Sequence, residues 1–141
     1  MTLDDFITIY DSTPSCGAEG RSVKVWYDTV PIPQPRQNRN SRWGHSPTAI
    51  RSKVYNNWRG AFRDALLLVM AKERIEQFGE VPLKLTVKFA VKGRHGDLSN
   101  YIKALEDVLN GILWVDDKWV HQIESEMEVG KPTINFQVRE L

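Results

Sequence analysis

Four charged side chains in this chain are spaced around one short amphipathic stretch. Ile102, Leu105, Val108, Leu109 and Ile112 recur at helical spacing from about Ser99 to Asn110, and Gly111 is a natural stop. Asp97 precedes that stretch, Lys103 lies on its polar side, and Asp116 and Asp117 open the strand that follows. A strand–helix–strand unit returns its second strand beside the first, so the spacing predicts that carboxylates flanking the helix approach each other. The chain has 1 cysteine and 3 histidines, so such a group is an oxygen-ligand site suited to Mg²⁺ rather than to a soft metal. Mg²⁺ beside a cationic surface suits phosphodiester hydrolysis, where Lys103 would neutralise charge developing on the phosphorane or leaving oxygen. Each residue also has a plain structural reading. Asp97 after Gly96 suits a turn or cap, Ser99 an N-cap, and Asp116-Asp117 a turn, while Lys103 can pair with Asp107 at i,i+4.

The charge distribution points the same way. Lys+Arg number 19 and Asp+Glu 18, yet from Thr29 to Arg63 there is no acid. That stretch carries Arg36, Arg39, Arg42, Arg51, Lys53, Arg59 and Arg63, whereas Asp116, Asp117, Glu124, Glu126 and Glu128 crowd the other end. Such segregation fits a polyanion-binding face beside a carboxylate-rich site, or complementary patches that meet each other or a second subunit. Arg36, Arg39, Arg42 and Arg51 suit phosphate contact. Trp43, set among the arginines, suits either stacking on an unpaired base or anchoring its loop.

These residues need elements to position them. Residues 1–21, rich in small and turn residues toward their end, read as a flexible extension in which Phe6, Ile7, Ile9 and Tyr10 leave room for a short docking strand. The folded domain then spans 22–141. Ser22–Tyr27 alternates as a strand does, and the proline-rich run from Pro31 to Pro47 is a long extended loop. From Thr48, Ile50, Val54, Trp58, Phe62, Ala65, Leu66 and Val69 predict a long helix ending near Phe78-Gly79. Leu83, Leu85, Val87, Phe89 and Val91 then form one face of a strand whose other face carries Lys84, Lys88 and Lys92. That cationic ladder reads either as a DNA contact or as lysines guarding an edge strand. A strand through Met127 and another from Thr133 to Arg139 complete the order β-loop-α-β-α-β-β. The expected class is α+β, a single domain with a mixed sheet packed on two main helices.

At 141 residues, with 41% hydrophobic and 26% charged, the chain suits one globular domain that needs no disulfide. The longest apolar run, Ala65 to Ala71, is far short of the roughly 20 residues needed to cross a bilayer. The acidic start lacks the features of a signal peptide, so the expectation is a soluble intracellular protein with no membrane partner.

The segment GDLSNYIKALEDVLNGILWVDD resembles the signature of the RusA family of Holliday junction resolvases. The pattern D-x-D-N-x-x-K-x-x-x-D-x-L-x-x-G-x-x-x-x-D-D maps onto Asp97, Asn100, Lys103, Asp107, Leu109, Gly111, Asp116 and Asp117. Upstream, VPIPQPRQNR is similar to the family's proline and arginine segment. The resemblance covers about residues 22–139. It implies a cytoplasmic, bacterial or phage-encoded homodimer that binds four-way DNA junctions and nicks two strands symmetrically with Mg²⁺, or Mn²⁺ in its place, in recombination and repair. Carried over, the catalytic residues are Asp97, Asp117 and Lys103, with Asp97, Asp117 and Asp116 toward the metal. One position departs: Ser99 stands where the family pattern has its second carboxylate. A hydroxyl brings no charge, so Asp116, Glu124 or Glu126 would have to compensate. Two other readings stay open, a branched-DNA-binding protein without cleavage and a nuclease for flap or fork DNA.

Overall fold

The computed structural model describes residues 7–12, 20–35 and 47–141, with side chains described from Lys53 onward in the last of these. Five strands form one mixed sheet in the order β1-β2-β5-β3-β4. They are β1 (Ile7–Ser12), β2 (Ser22–Tyr27), β3 (Leu83–Val91), β4 (Val120–Val129) and β5 (Thr133–Glu140), with helices α1 (Pro47–Glu73) and α2 (Leu98–Leu109). All neighbours run antiparallel except β3 and β4, which are parallel and joined through α2. This is the α+β single domain with a mixed sheet and two helices that the hydrophobic pattern predicts.

Alternation decides which face of each strand is buried. Ile7 and Ile9, Val23 and Val25, Ile134, Phe136 and Val138, and Leu83 to Val91 at every second position turn to the helices and form the core. The outward positions of β2, β3 and β5 carry Lys24, Trp26, Lys84, Lys88, Asn135 and Gln137, so the opposite face of the sheet is open. Part of the expected N-terminal extension, Ile7–Ser12, is β1, paired with β2 in a register from Ile7↔Tyr27 to Ser12↔Ser22. Its two isoleucines supply the reason, since both are buried against the core.

Two expectations for the helices need correction. The long helix ends at Glu73 rather than near Gly79. Arg74 turns left-handed at φ 56°, the Ile75 amide donates to the Met70 carbonyl at 2.8 Å, and the Arg74 amide to Ala71 at 3.4 Å. That pair of bonds closes the helix as a Schellman motif, with arginine in the place glycine usually takes. Beyond it, the Phe78 amide donates to the Leu113 carbonyl at 2.8 Å, which draws the chain into the body. The buried stripe of α1 holds at Phe62, Ala65, Leu66 and Val69, with Tyr55 and Met70 added and Trp58 packed against the core, but Val54 is 51% exposed rather than part of it. α2 ends as expected, with Gly111 at φ 76°. No helix among the described residues is long and apolar enough to cross a membrane.

Candidate active site

α2 carries or flanks every acidic residue singled out by spacing. Asp97 is its N-cap, with extended backbone at φ −76° and ψ 140°, and its carbonyl accepts from the Asn100 amide at 3.0 Å. Its carboxylate makes no capping bond to the first-turn amides. Lys103 is exposed, one turn further on. Past the helix, Trp114 is fully buried, and its indole N–H donates to Asp117 Oδ1 at 2.7 Å. Asp116 begins the 3-10 turn Asp117–Trp119, accepting from the Lys118 amide at 3.0 Å.

The electrostatics single out Asp117 and an acid that spacing did not. Burial pushes the Asp117 carboxyl above its ordinary 3.8; the Trp114 bond opposes this, while Asp116 and Asp107 add to it. Glu106 is pushed above its ordinary 4.5, first by burial, then by Asp117 and Asp107, with Lys103 opposing. Glu106 was missed because it sits beside the motif residue Asp107 as an unremarkable helical glutamate. The signal available was its place three residues after Lys103.

Helix geometry separates what spacing had grouped. Asp97 lies at the start of α2, beyond the end of β3, whereas Asp116 and Asp117 lie past its end, before the start of β4. In a parallel crossover those are opposite ends of the sheet, and the register Leu83↔Val120 to Val91↔Val129 confirms the strands run level. The 12 residues of α2 span about 18 Å. Within one chain, then, the structure brings together Asp107, Asp116, Asp117 and Glu106, and leaves Asp97 at the other end. Among the described residues no group of three His, Cys, Asp or Glu is arranged to hold a metal ion by itself. Mg²⁺ ordinarily takes only one or two carboxylates, completing its shell with water and substrate phosphate. Asp117 and Glu106, both raised above their ordinary values, fit that donor set.

Asp107 has a different environment. Its Oδ2 accepts from the Tyr55 hydroxyl at 2.6 Å and from the Gln34 carboxamide at 2.9 Å. Burial and the carboxylate together drive the Tyr55 hydroxyl far above its ordinary range. The expected Lys103–Asp107 ion pair is not among the ion pairs of the described residues. The Gln34 amide also donates to the Asn100 carbonyl at 3.0 Å. Next to it, the position of a Cβ on Gly96 is 3.3 Å from Pro33 Cγ, and the Gly96 amide donates to the Tyr101 hydroxyl at 3.1 Å. The first residues of the proline-rich loop are thus bound along α2.

The lysine strand also needs correction. β3 is central, between β5 and β4, so its lysines do not guard an edge. Lys84 pairs with Glu124 at 2.9 Å, and Lys88 with Glu128 at 3.1 Å and Glu126 at 3.8 Å, all on the open face. Lys84 holds the Glu124 carboxyl below its usual range. The ladder is therefore balanced by β4. Glu124 and Glu126, on the face opposite α2, are not available to stand in for the carboxylate that Ser99 replaces. Lys92 lies just past β3 and is exposed. Arg36, Arg39, Arg42 and Trp43 lie outside the described residues, as does the side chain of Arg51.

Residues 28–139, most of the chain, match the family described as Endodeoxyribonuclease RusA, and the protein belongs to that family. No curated protein matches the chain closely.

Proposed function

We propose that this member of the RusA family cleaves four-way DNA junctions by paired, Mg²⁺-dependent nicks, in the recombination and repair of a bacterial or phage genome. The observation that carries the reading is the half-buried pair Asp117 and Glu106, both held above ordinary carboxylate values beside Lys103. Acids perturbed in this way, close together, are candidates for a functional site. Asp117 with Glu106 or Asp116 would hold Mg²⁺, and Mn²⁺ in its place; when bound, the ion supplies Lewis acidity toward a phosphodiester. Lys103 would neutralise charge on the departing oxygen. Arg36, Arg39, Arg42, Arg51 and Lys92 would hold phosphates, and Trp43 would stack on a base at the crossover. Lys84 and Lys88 contribute less, because β4 already balances them.

The active form we propose is a homodimer. Asp97 and Asp117 sit at opposite ends of α2, so they share a site only when Asp97 comes from one copy and Asp117 from the other. A two-fold axis then generates two equivalent sites, matching the pseudo-two-fold symmetry of a four-way junction.

Ser99 supports a second reading, a branched-DNA-binding protein without cleavage. A labelled synthetic junction, with linear duplex as control, in Mg²⁺ and in EDTA separates the two. Metal-dependent paired nicks in the junction alone support the nuclease. Salt-sensitive junction binding without nicks supports the binding protein.

A further inference from the structure

We propose that Asp107 is a positioning residue, whose one oxygen Oδ2 clamps Gln34 and Tyr55 and so fixes the Pro31–Pro35 segment to the helix that carries Lys103. The inference rests on the branched-DNA reading for its functional consequence, and on geometry alone for the clamp itself.

Three elements meet at this oxygen. Asp107 belongs to α2, Tyr55 to α1, and Gln34 to the start of the proline-rich loop. Both donors reach the same atom, at 2.6 and 2.9 Å, and Tyr55 is 5% exposed. A carboxylate oxygen accepting two donors is well satisfied, and bonds to a charged acceptor are the stronger kind. The contact is repeated one helical turn or more upstream, where the Gln34 amide reaches the Asn100 carbonyl and Pro33 packs on Gly96. Gln34 is therefore held at both backbone and side chain. Pro33 and Pro35 on either side stiffen the chain at the clamp, two residues before Arg36 in sequence. Asp107 acts through what it holds: it registers the start of the cationic stretch against the acidic site without touching substrate.

Two readouts test this in the full-length protein: amide hydrogen exchange at Gln34, and the Kd and turnover of a labelled four-way junction. In Asp107→Ala, Gln34 exchange should rise and the junction Kd in EDTA should weaken by about tenfold, the ordinary worth of one hydrogen bond to a charged acceptor. At saturating junction with Mg²⁺, turnover should stay within about threefold, a change in KM rather than kcat. Asp107→Asn should keep Gln34 protected and the Kd near wild type, because its amide oxygen still accepts both donors. Gln34→Ala, which leaves Tyr55 bonded, should weaken binding in the same direction and covers the case in which Asp107→Ala folds poorly. If Asp107→Asn loses turnover at saturation as severely as Asp107→Ala, the negative charge is used in catalysis and the positioning role is overturned. Unchanged Gln34 exchange in Asp107→Ala overturns the clamp. Should the wild-type protein neither bind nor cut junctions, the nuclease reading fails by itself, and Gln34 exchange still decides the clamp.

Discussion

The separation of Asp97 from Asp117 makes a prediction about two chains rather than one. Two carboxylates on a single Mg²⁺, at about 2.1 Å each, place their oxygens no more than about 4 Å apart. The 12 residues of α2 lie between the two aspartates and rise about 18 Å, which short aspartate side chains do not bridge. Asp97→Asn and Asp117→Asn should each reduce junction nicking by about 100-fold or more when assembled only with themselves. Mixed dimers, isolated through two different affinity tags, should behave otherwise. One site then holds both substitutions and the other holds none, so nicking should return to about half the wild-type rate. The nicks should be single rather than paired, because only one site works. The assay is a denaturing gel of a junction labelled on each strand in turn. Mixed dimers that stay as inactive as either parent, with both tags demonstrably present, would refute the shared site and place each set of residues within one chain.

Other expectations follow from local features. Arg74 holds a left-handed conformation that costs an L-residue about 1–2 kcal/mol, while glycine gives back roughly half of that in unfolded-state entropy. Arg74→Gly should thus stabilise by about 0.5–1 kcal/mol, a rise of about 2–4 °C in Tm; a fall would mean the arginine side chain contributes more than the strain. The raised carboxyls of Glu106 and Asp117 bind protons more tightly folded than unfolded. Their ionisation therefore removes stability as pH rises from the ordinary values through the raised ones, and the loss is complete above that window. Glu106→Gln should stabilise the metal-free protein at pH 7 in urea titrations and do nothing well below pH 3.8, where both acids are protonated in either state; a destabilisation at pH 7 would contradict the burial cost and repulsion. If Lys88 meets a DNA phosphate despite its glutamates, Lys88→Ala should reduce the slope of log K against log salt by about one. An unchanged slope would confine it to the sheet.

Local chemistry made much of this fold legible. Strict alternation in β2, β3 and β5, and the stop at Gly111, follow from side-chain direction and backbone freedom, both of which a sequence displays. The end of α1 did not, because Arg74 takes a conformation for which glycine is the usual signal, and Gly79 offered a false one. The place of β3 in the sheet depends on β4 and β5, some 30 to 50 residues later, and lysines on a strand look the same at an edge or opposite glutamates. The error over Asp97 was one of direction. A crossover brings strands side by side, but the residues on either side of its helix go to opposite ends. Glu106 and the Gln34–Asp107–Tyr55 contact were illegible for a related reason, since burial and long-range partners create their properties.

Placement on α2 sharpens the metal reading. Glu106 and Asp107 lie in the second half of the helix, Asp116 and Asp117 lie past its end, and no basic residue occupies the last turn. That end carries the negative pole of the helix dipole, so these acids are repelled by the backbone as well as by one another. Asp107 is relieved by Tyr55 and Gln34, and Asp117 in part by Trp114, whereas Glu106 has only the opposing charge of Lys103. A bound divalent cation would relieve all of them together. At ten times its Kd it should stabilise the fold by about 1.4 kcal/mol, or about 3–5 °C in Tm. The rise should be lost in Asp117→Asn, be weakened in Glu106→Gln, and vanish as pH falls to the ordinary carboxyl values, because protonated acids release the ion. Millimolar Mg²⁺ and Mn²⁺ that leave the melting curve of the wild-type protein unmoved, with no junction present, would mean that this end of α2 binds no metal without DNA. A further absence of any shift with a non-cleavable junction bound would remove the metal from the site altogether.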